Sequence, residues 1–236
     1  MGGGEGIDLA TQPTLVQGAP FRLVHIDLSH KPDWYRAVNP RMLVPAVQRG
    51  GEVVVESADI CRWAASTFSQ QGQALVPGST EGQQEMERLI QAGSRVADAG
   101  LSLLAGCGRA WGIAGGQTAQ QRSAFQAAAA PLEQALQGHG GPYLQGQHPS
   151  LADLLVYPFL RRVQLGLHVL GEPAVAGSLA AWLAAMAARP AAAIAAGDRE
   201  RWLAALRQHR SLDWFDYTTA PLLECHPGLA SWMTAE

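Results

Sequence analysis

Apolar positions change their spacing along this chain, and the change divides it. In the first quarter they alternate or cluster in short runs. Phe21 to Leu28 places Val24, Ile26 and Leu28 on one face, which predicts a strand. Pro32 suits the first turn of a helix over Asp33 to Val38, and Asn39-Pro40 ends it, because the residue before proline avoids helical geometry. Val44-Pro45-Ala46-Val47 reads as a short strand with Pro45 at its first position, where no ladder donor is needed. Gly50-Gly51 then predicts a hairpin turn into a strand over Glu52 to Glu56. Ser57 is expected to cap a helix running to about Phe68, with Ile60, Trp63 and Ala64 on its apolar side.

Beyond about residue 76 the strand patterns stop and Ala, Leu and Gln dominate. Met86, Leu89, Ile90, Gly93, Ala97, Leu101 and Leu104 recur at helical spacing and predict a long helix from about Gly82 to Cys107. A glycine-rich interval over Gly106 to Gly116 precedes a helix over Ala119 to Gln137, which Pro131 is expected to kink or divide. Ser150 and Asp153 form a variant capping box ahead of Leu151, Leu154 and Leu155, so that buried backbone donors at a helix start find acceptors. Leu179 to Ala188 predicts another helix, and Arg199 to Arg207 a last one before an aromatic tail around Trp214, Phe215 and Tyr217.

Composition narrows the function classes. The 236 residues carry a formal charge of -3 and are 47% hydrophobic, which suits a packed core and gives no basic surface for nucleic acid. No apolar run reaches the ~20 residues of a membrane-spanning helix. Cys61, Cys107 and Cys225 stand far apart, which fits a reducing compartment better than a disulfide framework. The seven histidines show no metal-ligand spacing, so no metal is expected. Cytoplasm is the expected location, with a plastid open if the start of the sequence is incomplete.

The front unit carries the candidate chemistry. A strand beginning at proline leaves the backbone of Val44 outside the ladder, available to an extended peptide. The helix start at Glu56-Ser57 offers free N–H groups and a partial positive charge to a carboxylate. Glu56 can meet an ammonium, and Lys31 a second carboxylate. The stretch from Lys31 to Phe68, KPDWYRAVNPRMLVPAVQRGGEVVVESADICRWAASTF, resembles the glutathione-binding half of the soluble glutathione transferases, nearest their omega and lambda classes. Gly141 to Val163, with Ser150, Asp153 and Pro158, resembles the helix-starting box of their C-terminal domain.

The resemblance implies an α+β fold class: a thioredoxin-like glutathione-binding domain over residues 1–76, a linker over 77–84 and an all-α domain over 85–236. It implies a cis peptide at Pro45, glutathione as co-substrate or ligand, and a site in which Val44 and Pro45 hold the cysteinyl backbone. Glu56 and Ser57 would hold the γ-glutamyl end and Lys31 the glycyl carboxylate. A small hydrophobic or disulfide-containing second substrate is implied, with Trp111 and Tyr157 near it or in the core, and homodimerisation stays open.

The family's first strand and the start of its first helix would precede Leu15, and the expectation is that this segment is truncated. Ahead of Leu15 stand Thr11 and Thr14 but no Cys, Ser or Tyr, so no catalytic residue is assigned. Cys61 reads as a small buried residue before it reads as a substitute nucleophile. The implied activity is glutathione-dependent thiol transfer or dehydroascorbate reduction. The alternative is a non-catalytic glutathione- or ligand-binding scaffold on the same fold.

Overall fold

A computed structural model of the chain describes Val24, Ile26 and residues 30–69, 74–107, 118–170, 173 and 175–189. The expected strand over Phe21 to Leu28 lies almost wholly outside these residues, as do Trp111, Cys225 and the predicted elements after Pro190. Two compact units divide at Ala74 and Leu75.

The front unit contains helix α1 (Tyr35–Val38), strands β1 (Ala46–Arg49) and β2 (Glu52–Val55), and helix α2 (Ser57–Thr67). The two strands pair antiparallel, with Ala46 opposite Val55 and Arg49 opposite Glu52. Gly50, at φ +59°, takes the first central turn position, which needs a residue tolerant of positive φ. α2 lies against both strands, burying Ile60 and Ala64 as its spacing predicts. At the turn end of the hairpin the half-buried Trp63 donates its indole N–H to Glu52 Oε2 (3.0 Å). The Phe68 ring meets Trp63 edge-on and receives the Arg49 guanidinium at 5.1 Å from its centroid.

The second unit contains α3 (Thr80–Cys107), α4 (Thr118–Gly138), α5 (Leu151–Leu170) and α6 (Gly177–Ala187). α3 packs on both α4 and α5, and α6 closes on α4 and α5. Of the predicted face of α3, Met86, Leu89, Ala97 and Leu104 are buried, whereas Leu101 is 37% exposed. Val96 and Leu103 are buried instead. The packed stripe runs through Gly93 and Gly100, where α5 comes closest and brings Val156 and Val163 against the helix. α4 continues through Pro131 without dividing. Proline removes a single backbone donor there, and the buried Phe125, Ala129, Leu132 and Leu136 fix the helix on both sides of it.

The start of α5 is organised by one carboxylate. Asp153 Oδ2 accepts from the Ser150 N–H (2.8 Å) and the Ser150 hydroxyl (3.0 Å). Its Oδ1 accepts from the Leu144 N–H (2.9 Å) and the Trp182 indole N–H (2.8 Å). Asp153 thus joins the preceding loop, its own helix and α6, and its role is structural. Burial pushes its carboxyl up from the usual range while the four donors oppose the shift. A folded-state pKa above the unfolded one means that this group's stabilisation is complete below the unfolded value and is lost as pH rises through the folded one. The stability advantage of the wild type over Asp153→Asn is therefore expected to narrow from about pH 4 toward neutrality. Urea melts of both proteins across that range would show it. An advantage that widens with pH would contradict the direction.

Candidate glutathione site at the open end of the hairpin

The Ala46–Val55 pair puts the residues just before β1 and just after β2 at the same end of the hairpin. Val44 and Pro45 are thereby brought beside Glu56 and Ser57. The Val44–Pro45 peptide is cis. β1 begins at Ala46, one residue later than the sequence suggests, and Val44 makes no backbone hydrogen bond among the described residues. Its backbone is available to an extended ligand, and its side chain is exposed.

Ser57 is not the cap of α2. Glu56 occupies that position with φ +69°, and Ser57 is the first helical residue. The left-handed turn at Glu56 redirects the chain so abruptly that helical dihedrals start at once after it. The Glu56 side chain makes no cap hydrogen bond to the helix among the described residues, which leaves the first-turn N–H groups without that acceptor. Asp59, the acid of that turn, is engaged by Arg62 at 3.3 Å.

Three residues that sequence reasoning passed over set this geometry. Tyr35 donates its hydroxyl to the Leu43 carbonyl (2.8 Å), and Asn39 donates its side-chain amide to the same oxygen (2.7 Å). Both are buried. Asn39 also accepts from the Arg41 N–H on Oδ1 (3.1 Å) and from the Met42 N–H on its carbonyl (2.8 Å). The loop carrying Val44 is therefore fixed from inside. The third residue is Arg41, whose Nη2 pairs with Glu56 Oε1. Glu56 already has a cationic partner within the protein. The one available signal was Asn39 itself, a polar side chain between a helix end and a proline, which reads equally well as a simple helix stop.

Lys31 is half-buried and pairs with no carboxylate among the described residues. Among the described residues no hydrogen bond or ion pair joins it to Glu56 or Ser57. Cys61 is a buried thiol within α2, 5% exposed, as expected of a core residue. Tyr157 is 3% exposed against Trp182, which places it in the core of its unit, and burial raises its hydroxyl pKa. Among the described residues no cluster of His, Cys, Asp or Glu could hold a metal, and no helix is long and apolar enough to cross a membrane. A cavity of about 290 Å³ lies within the helical unit, lined by Phe125, Leu167 and Leu179 with Arg122 and Glu133, and it includes none of the five site residues.

Comparison with known proteins agrees with this architecture. Residues 16–67 match the family model for the glutathione S-transferase N-terminal domain, and residues 95–185 the one for the C-terminal domain. Glutathione S-transferase L1 of Arabidopsis thaliana is 29% identical over 175 residues, spanning 70% of this chain and 66% of the relative. Glutathione S-transferase omega-1 of Mus musculus is 24% identical over 177 residues, spanning 75% of this chain and 70% of the relative. The solved structure of Leishmania TDR1, a trimeric glutathione transferase, superposes with a TM-score of 0.72 at 26% identity, over 85% of this chain and 45% of that one. The chain thus spans just under two thirds of the Arabidopsis relative and less than half of the Leishmania protein. Two domain matches that together cover more than half of the 236 residues, on a thioredoxin-like unit with a two-stranded sheet and a helical unit, show that this chain belongs to the glutathione S-transferase family, with lambda- and omega-class relatives.

Proposed function

We propose that the chain binds glutathione at the open end of the hairpin and acts as a thiol transferase or dehydroascorbate reductase of the omega and lambda kind. The observation that carries the reading is the strand register, which sets Val44 and Pro45 beside Glu56 and Ser57. A glutathione laid along Val44 would bond its cysteinyl backbone there, as an added strand does. Its γ-glutamyl carboxylate would meet the uncapped N–H groups and hydroxyl at Ser57, and its ammonium Glu56. Lys31 would take the glycyl carboxylate. In the proposed reduction two glutathione thiols give up two electrons and two protons to dehydroascorbate, leaving ascorbate and glutathione disulfide. The domain limits at 1–76, 77–84 and 85–236, a cytoplasmic or plastid location and a homodimer belong to the same proposal.

A glutathione-binding protein without thiol chemistry is the second reading. It is favoured by the burial of Cys61 within α2.

Immobilised glutathione tests the site directly. The wild type is expected to be retained, Glu56→Ala to pass through, and Ser57→Ala and Lys31→Ala to elute earlier than wild type. A wild type that flows through would end the glutathione reading. Turnover of dehydroascorbate with glutathione then separates the two functions: retention with no turnover selects the binding protein.

A further inference from the structure

The stretch between Asn39 and Pro45 keeps its apolar side chains out and one of its carbonyls in. Leu43 is 50% exposed and Val44 38%, so burial of their side chains does not hold this stretch in place. The Leu43 carbonyl does. It accepts from the Tyr35 hydroxyl (2.8 Å) and the Asn39 side-chain amide (2.7 Å), one oxygen serving both donors with its two lone pairs. Tyr35 is 1% exposed and Asn39 2%, which keeps both donors from water. Met42 takes φ +55° to turn the chain between Asn39 and Leu43, a costly conformation for a residue with a side chain, and its N–H closes on the Asn39 carbonyl. A phenylalanine at 35 would fill the same space; the hydroxyl adds the bond to this carbonyl.

The clamp acts on the far side of the same peptide group. The Leu43–Val44 peptide is trans and planar, so its C=O and N–H point in opposite directions. With the carbonyl drawn inward onto Tyr35 and Asn39, the Val44 N–H is aimed away from them, and it makes no hydrogen bond among the described residues. Two donors on the carbonyl also draw electron density from the amide nitrogen, which strengthens the N–H as a donor. We propose that Tyr35 and Asn39 are positioning residues of the glutathione site: they fix and polarise the Leu43–Val44 peptide so that the Val44 N–H is presented to the cysteinyl carbonyl of the ligand. The inference rests on the glutathione reading and adds to it two buried residues that act on the ligand only through the backbone.

Calorimetric titration of the full chain tests this with glutathione and with its thioamide, in which sulfur replaces the cysteinyl carbonyl oxygen and accepts a hydrogen bond less well. Tyr35→Phe removes one hydroxyl and leaves the ring. It is expected to weaken glutathione binding about three- to tenfold, and thioamide binding clearly less. Asn39→Ala removes the other donor and should separate the two ligands in the same way; if it does not fold, Tyr35→Phe, the milder change, decides alone. Tyr143→Phe removes a hydroxyl that accepts from Arg189 in the helical unit, and should bind both ligands as the wild type does. In nitrogen-15-resolved spectra the Val44 amide proton should move downfield when glutathione binds the wild type, and move less in Tyr35→Phe. Tyr35→Phe binding glutathione as tightly as wild type, or losing equally for both ligands, would overturn the inference and leave the glutathione reading standing, as would an equal loss in Tyr143→Phe. A wild type that binds neither ligand would overturn both.

Discussion

Asp153→Ala is expected to destabilise the helical unit by roughly 3–5 kcal/mol, the largest effect of any single substitution considered for this chain. The carboxylate accepts from four donors, and three of them, the Leu144 N–H, the Ser150 N–H and the Trp182 indole N–H, have fixed directions. Asp153 and Leu144 are 0% exposed and Trp182 1%, so water cannot replace the lost acceptor without opening the packing. Each orphaned buried donor costs about 1–3 kcal/mol. Asn should fall between Asp and Ala. If its amide turns toward the rotatable Ser150 hydroxyl, the carbonyl oxygen keeps Leu144 and Trp182, but the Ser150 N–H loses its acceptor and the second amide N–H finds none. The order wild type, Asn, Ala in urea midpoint, with a melting shift on the order of 10 °C for Ala, would confirm the assignment. A loss below about 1 kcal/mol for Ala would show that the four bonds carry little net stability.

Local patterns were readable in advance because their causes are local. The hairpin follows from Gly50-Gly51 between apolar runs, the helix starts from acid and hydroxyl residues ahead of apolar spacing, and the box at Ser150 and Asp153 from residues three apart. Conversely, what the sequence hid depends on distant partners. Nothing near Asp153 announces that Trp182, 29 positions on, donates to it. Arg41 and Glu56 are 15 apart, and only the hairpin brings them together. Tyr35 reads as one residue of a polar helix until its hydroxyl is seen on Leu43, eight residues later. The cap position slipped from Ser57 to Glu56 because a left-handed backbone at an acid is rare enough that spacing alone never suggests it. Of the five residues proposed for the site, Val44, Pro45, Glu56 and Ser57 are brought to one end of the hairpin by strand register, which sequence can anticipate. Lys31 depends on a loop path that it cannot.

Gly93→Ala is expected to destabilise the chain by about 1–3 kcal/mol, although alanine is the better helix former. Propensity alone would favour alanine by about 1 kcal/mol inside a helix such as α3. Against that stands α5, which crosses so closely that a Cβ at Gly93 would lie 2.2 Å from Val156 Cγ2, with the other two Val156 carbons at 3.0 and 3.1 Å. Valine has no flexible end to withdraw, and Val156 is itself buried, so either the helices separate or the backbone bends. The contact recurs two turns on, where a Cβ at Gly100 would meet Val163 Cγ2 at 2.5 Å. It is reciprocated from α5, since a Cβ at Gly166 would lie 2.8 Å from both Leu104 methyls. Glycine on each helix thus lets the two backbones approach, and relaxing one contact strains the others. Val156→Ala alone should lose about 2 kcal/mol by leaving a cavity, whereas combined with Gly93→Ala it should cost clearly less than the two losses added. Gly138→Ala, whose Cβ meets nothing within 4 Å, serves as the open-space control and should be neutral or slightly stabilising. Chemical denaturation of the wild type and the four variants decides the matter: if Gly93→Ala proves as stable as wild type, the close crossing of α3 and α5 is not what fixes the helical unit.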